Sequence, residues 1–236
     1  MSLGKLYLIP NVISSDTESN VIPAGVVEIV MEIRYFIVED IRTARRYLRK
    51  IGFSADFDTQ VQFFELNKHS NTNDLDSYLN PLLSGENMGI LSESGLPCIA
   101  DPGNIIVEKA QNLNLKVIPL VGPSSIFLAL MASGFNGQNF AFNGYLPIND
   151  KDRKQKLKEL EMKIMRENQT QIFIETPYRN QQIFDAILSV CASSLKLCIA
   201  SDVSGKSEHI RTMSVGEWRF SGRKLGKVNM IFLLYK

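Results

Sequence analysis

The stretch "LSESGLPCIADPG", residues 91–103, follows an apolar run and crowds Gly95, Pro97, Pro102 and Gly103 into one short loop with Glu93 and Asp101. Four turn formers end a strand abruptly, and the two acids supply polar anchors where backbone must pass close to a neighbour. "GNIIVEKAQNLN" then reads as a helix, "LKVIPL" (115–120) as a strand, and "VGPSSIFLALMASG" as a second loop and helix. A strand, a glycine-proline loop and a helix, repeated, predict parallel pairing through right-handed crossovers. In the second repeat Ser124 is placed to cap the helix and Gly134 to end it in a left-handed turn. The residues between them are apolar on every side, so this helix is expected buried at the centre of the fold.

The same order extends in both directions. Upstream, "KLYLIP" (5–10), "YFIVED" (35–40) and "MGILSE" (88–93) read as buried strands, and "NVISSDTESNVIPAG" as a polar loop. In "IRTARRYLRKIG", Ile41, Ala44, Leu48 and Ile51 form a helical core stripe, while Arg42, Arg45, Arg46 and Arg49 fall on the other face as a guanidinium ridge. That ridge suits either a solvated surface or a phosphate-facing one. Downstream, "KDRKQKLKELEMKIMRE" is an amphipathic helix with Leu157, Leu160 and Ile164 as a narrow stripe among seven basic residues. "TQIFIETPYR", "LKLCIAS" and "KVNMIFLLY" are strands, with "QQIFDAILSVC" a helix among them. The fold expected is α/β, with mainly parallel sheets in two α/β domains, 1–121 and 122–236.

Composition narrows the function classes. Twenty-six basic and 25 acidic residues leave a net charge of +1, so polyanion binding has to rest on local clusters. Three cysteines without a CxxC argue against a disulfide framework and point to a reducing, cytoplasmic setting. His69 and His209, the two histidines, lack acidic or cysteine partners at ligand spacing, so no metal is expected. "IFLALMA" is far too short to cross a membrane. Neither a G-x-G-x-x-G nor a G-x-x-x-x-G-K-[ST] fingerprint is present. Parallel sheets bind ligands outside the carboxyl ends of their strands, and "SESGLPCIADPG" and "VGPSS" are two adjacent loops of that kind.

Five blocks in this order, "VEDIRTARRYL", "LSESGLPCIADPG", "VIPLVGPSSIFLALMASG", "FNGYLP" and "FIETPYR", resemble the tetrapyrrole-methylase-like superfamily, most closely its ribosomal RNA small subunit methyltransferase I branch. The resemblance covers about residues 5–200. It implies two α/β domains with S-adenosylmethionine in the cleft between them, a homodimer, and methyl transfer to the ribose 2'-oxygen of a cytidine in ribosomal RNA. Carried over by position, the methyl donor contacts Pro10, the turn Glu93, Ser94 and Gly95, Ile99, Ser124, Ser125 and Leu146. Glu93 suits the donor's ammonium, and Asp101 is expected to hold the loop through backbone N–H bonds. Where the family has Asp, Thr and Gly in its central loop, this chain has Glu93, Leu96 and Cys98, and "IPNVIS" replaces the first-loop "PIGN".

Methyl transfer from a sulfonium is an in-line displacement that needs orientation, exclusion of water and a base for a poorly acidic hydroxyl. Glu39 with Arg42, and Glu175 with Arg179, stand at the ends of two strands and match acid-plus-arginine positions of the family. Each pair is open to two readings, proton transfer or a structural ion pair. Two further functions stay open beside the ribosomal one. One is a methyltransferase acting on a small, tetrapyrrole-like molecule, and the other is a noncatalytic binding protein that keeps the fold.

Overall fold

The computed structural model describes residues 2–67 and 75–236, so His69 lies outside the described residues. In chain order the elements are β1 (Lys5–Ile9), α1 (Glu18–Val21), α2 (Ala24–Met31), β2 (Tyr35–Val38), α3 (Ile41–Lys50), β3 (Gln62–Glu65), α4 (Asn80–Leu83), β4 (Met88–Leu91), α5 (Asn104–Asn112) and β5 (Lys116–Pro119). They continue with α6 (Ser125–Ser133), β6 (Phe140–Tyr145), α7 (Asp150–Glu167), β7 (Thr170–Glu175), α8 (Asn180–Val190), β8 (Lys196–Ser201), β9 (His209–Ser214), α9 (Val215–Phe220) and β10 (Met230–Tyr235). The chain divides into two compact units, Met1–Ser124 and Ser125–Lys236, so the 121–124 loop goes with the first.

The first unit is a five-stranded sheet in the order β3-β2-β4-β1-β5, parallel throughout. Side chains alternate between its faces. Phe36, Val38, Ile9 and Leu91 join one core with Val30, Leu48 and Phe53. Ile37, Leu6, Met88 and Ile90 join another with Leu79, Ile106 and Leu115. A sheet covered on both faces needs strands that are apolar at every position, which is why "YFIV" and "MGIL" are continuous runs. Parallel pairing also brings the carboxyl ends of β1, β2, β4 and β5 to one edge.

The second unit has the order β6-β7-β10-β8-β9. Only β6 and β7 pair in parallel; β10, β8 and β9 are antiparallel to their neighbours. Five of the eight pairings among the described residues are parallel, so the sheets are mainly parallel as expected, with the antiparallel pairs confined to this unit. Phe173, Phe232, Leu197 and Ile199 pack with residues of α7, α8 and α9. Ile172, Ile231, Leu233 and Cys198 pack under α6.

Three expectations need correction. Helix α6 is buried on one side only, through Ile126, Ala129, Leu130 and Ser133, whereas Phe127 is 51% and Met131 79% exposed. Apolar residues all round a helix therefore mark an uncovered face here, not a central position. On α7, Arg153 belongs to the buried stripe: its guanidinium donates to the Ile148 carbonyl and pairs with Asp150 at 2.6 Å. On α3 the ridge is not uniformly free. Arg45 lies over the rings of Phe57 and Phe63 and Arg49 over that of Phe57, whereas among the described residues Arg42 and Arg46 have no such contact.

Candidate functional site

Chain physics converges on the carboxyl edge of the first sheet. After β4 the backbone turns through three left-handed residues, Gly95 (φ 68°), Cys98 (φ 65°) and Ala100 (φ 64°). Two of them carry a Cβ, a strain of order 1–3 kcal/mol each that the surroundings must hold. Asp101 does much of this holding. Its Oδ1 accepts from the backbone N–H of Cys98 at 2.9 Å and of Gly103 at 2.8 Å, and its Oδ2 from Cys98 at 2.9 Å. This is the loop-holding role expected of it.

The loop after β1 is stapled to the same turn by a residue that reading the sequence did not single out. Asn11, buried, donates its backbone N–H to the Gly95 carbonyl at 2.9 Å and its side-chain amide to the carbonyls of Ser92 at 2.9 Å and Glu93 at 3.2 Å. The signal was the departure "IPNVIS" itself: a polar amide directly after a strand-ending proline. Next to it, a Cβ on Gly122 would lie 2.2 Å from the Cβ of Pro10, so only glycine lets the loop after β5 close onto the loop after β1. The Pro10 carbonyl accepts from the buried Tyr47 hydroxyl of α3 at 2.8 Å.

Helix α3 adds the third loop. Asp40 caps it, accepting from the Thr43 N–H at 2.7 Å, and the Thr43 hydroxyl reaches the Glu93 carboxylate at 2.6 Å. Glu39, just before the cap, and Asp101 line a small hollow floored by Ile37, Leu66, Ile90 and Pro102. Burial, reinforced by the negative charges of Asp101 and Glu93, pushes the Glu39 carboxyl up to about 7. Burial, with Asp101 nearby, pushes the Cys98 thiol up to about 12, which excludes a thiolate nucleophile there at neutral pH.

Of the expected site residues, Glu39, Glu93, Ser94 and Gly95 come together with Pro10 on this edge. Glu93, Ser94 and Ile99 are exposed, and Gly95 and Pro10 are buried as backbone supports. Arg42 is exposed on α3, and among the described residues no cation pairs with Glu39. Ser124 closes the first unit and Ser125 opens α6. Leu146 is 2% exposed and sits within the core of the second unit. Glu175 and Arg179 form a buried ion pair at 3.0 Å in that unit, the Glu175 side chain wholly buried and also accepting from the Thr176 N–H. Among the described residues no group of histidine, cysteine, aspartate or glutamate is arranged to hold a metal, and no helix is long and apolar enough to cross a membrane.

Solved structures share this architecture. The methyltransferase CobJ superposes over 100% of this chain and 95% of its own, with a TM-score of 0.64 at 14% identity. Uroporphyrin-III C-methyltransferase from Thermus thermophilus, complexed with S-adenosylhomocysteine, covers 99% of this chain and 98% of its own, with a TM-score of 0.60 at 11% identity. The fold is thus that of the tetrapyrrole methyltransferases. No family model matches the chain. Curated relatives are nearer in sequence: ribosomal RNA small subunit methyltransferase I of Vibrio cholerae is 29% identical over 233 residues, 98% of this chain and 76% of the relative. That of Buchnera aphidicola subsp. Schizaphis graminum is 30% identical over 207 residues, 88% of this chain and 68% of the relative. The chain belongs to the ribosomal RNA small subunit methyltransferase I family, the branch its five blocks resemble, and is a methyltransferase by that membership.

Proposed function

We propose that this protein is a cytoplasmic, homodimeric S-adenosylmethionine-dependent enzyme that methylates a ribose 2'-oxygen of small-subunit ribosomal RNA. One observation carries the reading: an exposed carboxylate, Glu93, stands on a stapled, strained turn beside a half-buried carboxyl, Glu39, whose proton affinity lies near neutrality. The residues present fit the donor. Glu93 offers a carboxylate to an ammonium, Ser94 and Ser124 offer hydroxyls to a ribose, and Gly95 lets backbone approach closely. When bound, the donor supplies an electrophilic methyl group on a sulfonium.

The chain's own residues do the rest. Asn11, Asp101 and Thr43 fix the turn and so the direction in which Glu93 points. With its carboxyl poised near pH 7, Glu39 is largely ionised just above neutrality and still basic enough to take a proton from a hydroxyl, the compromise that general-base catalysis requires. Arg42, exposed at the start of α3, is placed for an anionic acceptor. Relatives 29–30% identical carry the ribosomal RNA name, whereas the tetrapyrrole enzymes are alike at only 11–14%, which favours the ribosomal acceptor over a small molecule. The uncovered α6 face, with Phe127 and Met131, supports the dimer.

The test is transfer of tritiated methyl to small ribosomal subunits from cells lacking this modification, followed by digestion to nucleosides. The expected product is a 2'-O-methylated cytidine, with the rate lowered about 100-fold in Glu39→Gln. Label on a base, or none above the level without enzyme, contradicts the reading.

A further inference from the structure

The second unit carries a surface that the donor site does not use. At the carboxyl end of β7 the chain makes a short turn, Pro177–Arg179, that leaves the Tyr178 ring 81% exposed. Strand β10 runs antiparallel to β7, with Met230 opposite Glu175, so the segment leading into β10 arrives at this same edge. That segment, 221–229, holds Arg223, Lys224 and Lys227, all exposed and, among the described residues, none in an ion pair. Lys227 sets its ammonium 5.2 Å from the centroid of the Tyr178 ring. Phe220, at the end of α9 where the segment begins, is 93% exposed.

The segment is held in place. Asn180, fully buried at the start of α8, donates its side-chain amide to the carbonyls of Gly226 at 3.1 Å and Val228 at 2.7 Å. Gln181 accepts from the Leu225 N–H at 2.8 Å. Two residues that directly follow the tyrosine turn thus fix the position of the basic segment beside it. Strand β6, parallel to β7, ends at the same edge, where Tyr145 is 56% and Ile148 77% exposed. By contrast Arg219, four residues before Arg223, is spent on the carbonyls of Leu188 and Cys191 and the hydroxyl of Ser193.

We infer that this edge is a binding platform for single-stranded RNA, with a base stacked on Tyr178 and phosphates met by Arg223, Lys224 and Lys227. An exposed ring with a cation over one face leaves its other face for a nucleobase, and aromatic stacking beside a basic track is how single strands are held without sequence readout. A double helix would not use it, because its bases are already stacked and offer no free face. The inference rests on the proposed function, since it names the acceptor-binding surface of the same enzyme.

Anisotropy of a fluorescein-labelled 12-nucleotide single-stranded RNA, read at several salt concentrations alongside calorimetry of S-adenosylhomocysteine, tests it. Tyr178→Ala is expected to weaken RNA binding about tenfold and Tyr178→Phe to restore it, since a phenyl ring stacks as well. Lys227→Ala is expected to reduce the slope of log affinity against log salt by about 0.7. Donor heats should be unchanged in all three variants, which separates this inference from the donor reading and reports that they are folded. RNA binding equal in parent and Tyr178→Ala overturns the platform, as does a parent that binds no RNA while still binding the donor product.

Discussion

Glu39 is the residue on which the chemistry turns. In the folded chain its carboxyl keeps a proton up to about pH 7, against 4.5 in the absence of the fold. Between those values the folded state binds the extra proton, so stability should fall as pH rises through this window. The parent's urea midpoint should therefore drop between about pH 5 and about pH 7.5, and Glu39→Gln, which cannot titrate, should lose most of that drop. Parallel curves for the two proteins would mean that the hollow does not perturb the carboxyl. Legibility differed sharply from one residue to the next here. The turn formers, Glu93 and Asp101 announced themselves by crowding after an apolar run. Asn11 left only the departure "IPNVIS", because a single amide in a polar stretch has no periodicity, and the two carbonyl partners of its side chain exist only once β1 lies beside β4. The burial of the Glu175 carboxylate against Arg179 was likewise open in the sequence, which offered both a reactive and a structural pair.

Among the elements, strands buried on both faces were plain, since a short continuous apolar run bounded by glycine and proline suits a doubly covered strand and is too brief for a helix. Most of the elements missed are short or lie at edges, but the stretch read as a polar loop holds α1 and the start of the eight-residue α2, whose Val26 and Val30 are buried. Strand β3 spans four residues, and β9, "HIRTMS", is an edge strand with one neighbour and no apolar run, formed because β8 offers it a complete ladder. Helix α9 did leave a signal, the capping box of Ser214 and Glu217. Contacts between elements, rather than the elements, build the site: the loop after β5 lies on the loop after β1 at Gly122 and Pro10. Gly122→Ala forces that contact apart and is expected to cost about 1–3 kcal/mol in chemical denaturation, in the range of overpacking. An unchanged midpoint would show that the two loops do not need this close approach.

The molecule as a whole repeats one idea twice with different hands of pairing. Its first unit keeps every strand parallel, so the loops after β1, β2, β4 and β5 open at one edge and the strain of Cys98 and Ala100 is concentrated there. Its second unit admits antiparallel neighbours, which bring the β10-leading segment to the end of β7 and gather exposed aromatic and basic side chains at that edge. The alternation of strands and helices foretold an α/β chain, and five blocks in register foretold its family. No local pattern foretold the antiparallel pairing, which depends on where β10 inserts between β7 and β8 rather than on its own residues. The donor reading of the first edge is tested most directly by titrating the protein with S-adenosylhomocysteine in a calorimeter, parent beside Gly95→Trp. Saturable binding in the micromolar range by the parent, abolished when a bulky side chain is forced onto this left-handed position, is the expected result. Absence of heat at millimolar ligand, or equal binding by both proteins, would contradict the placement of the donor on the Glu93–Gly95 turn.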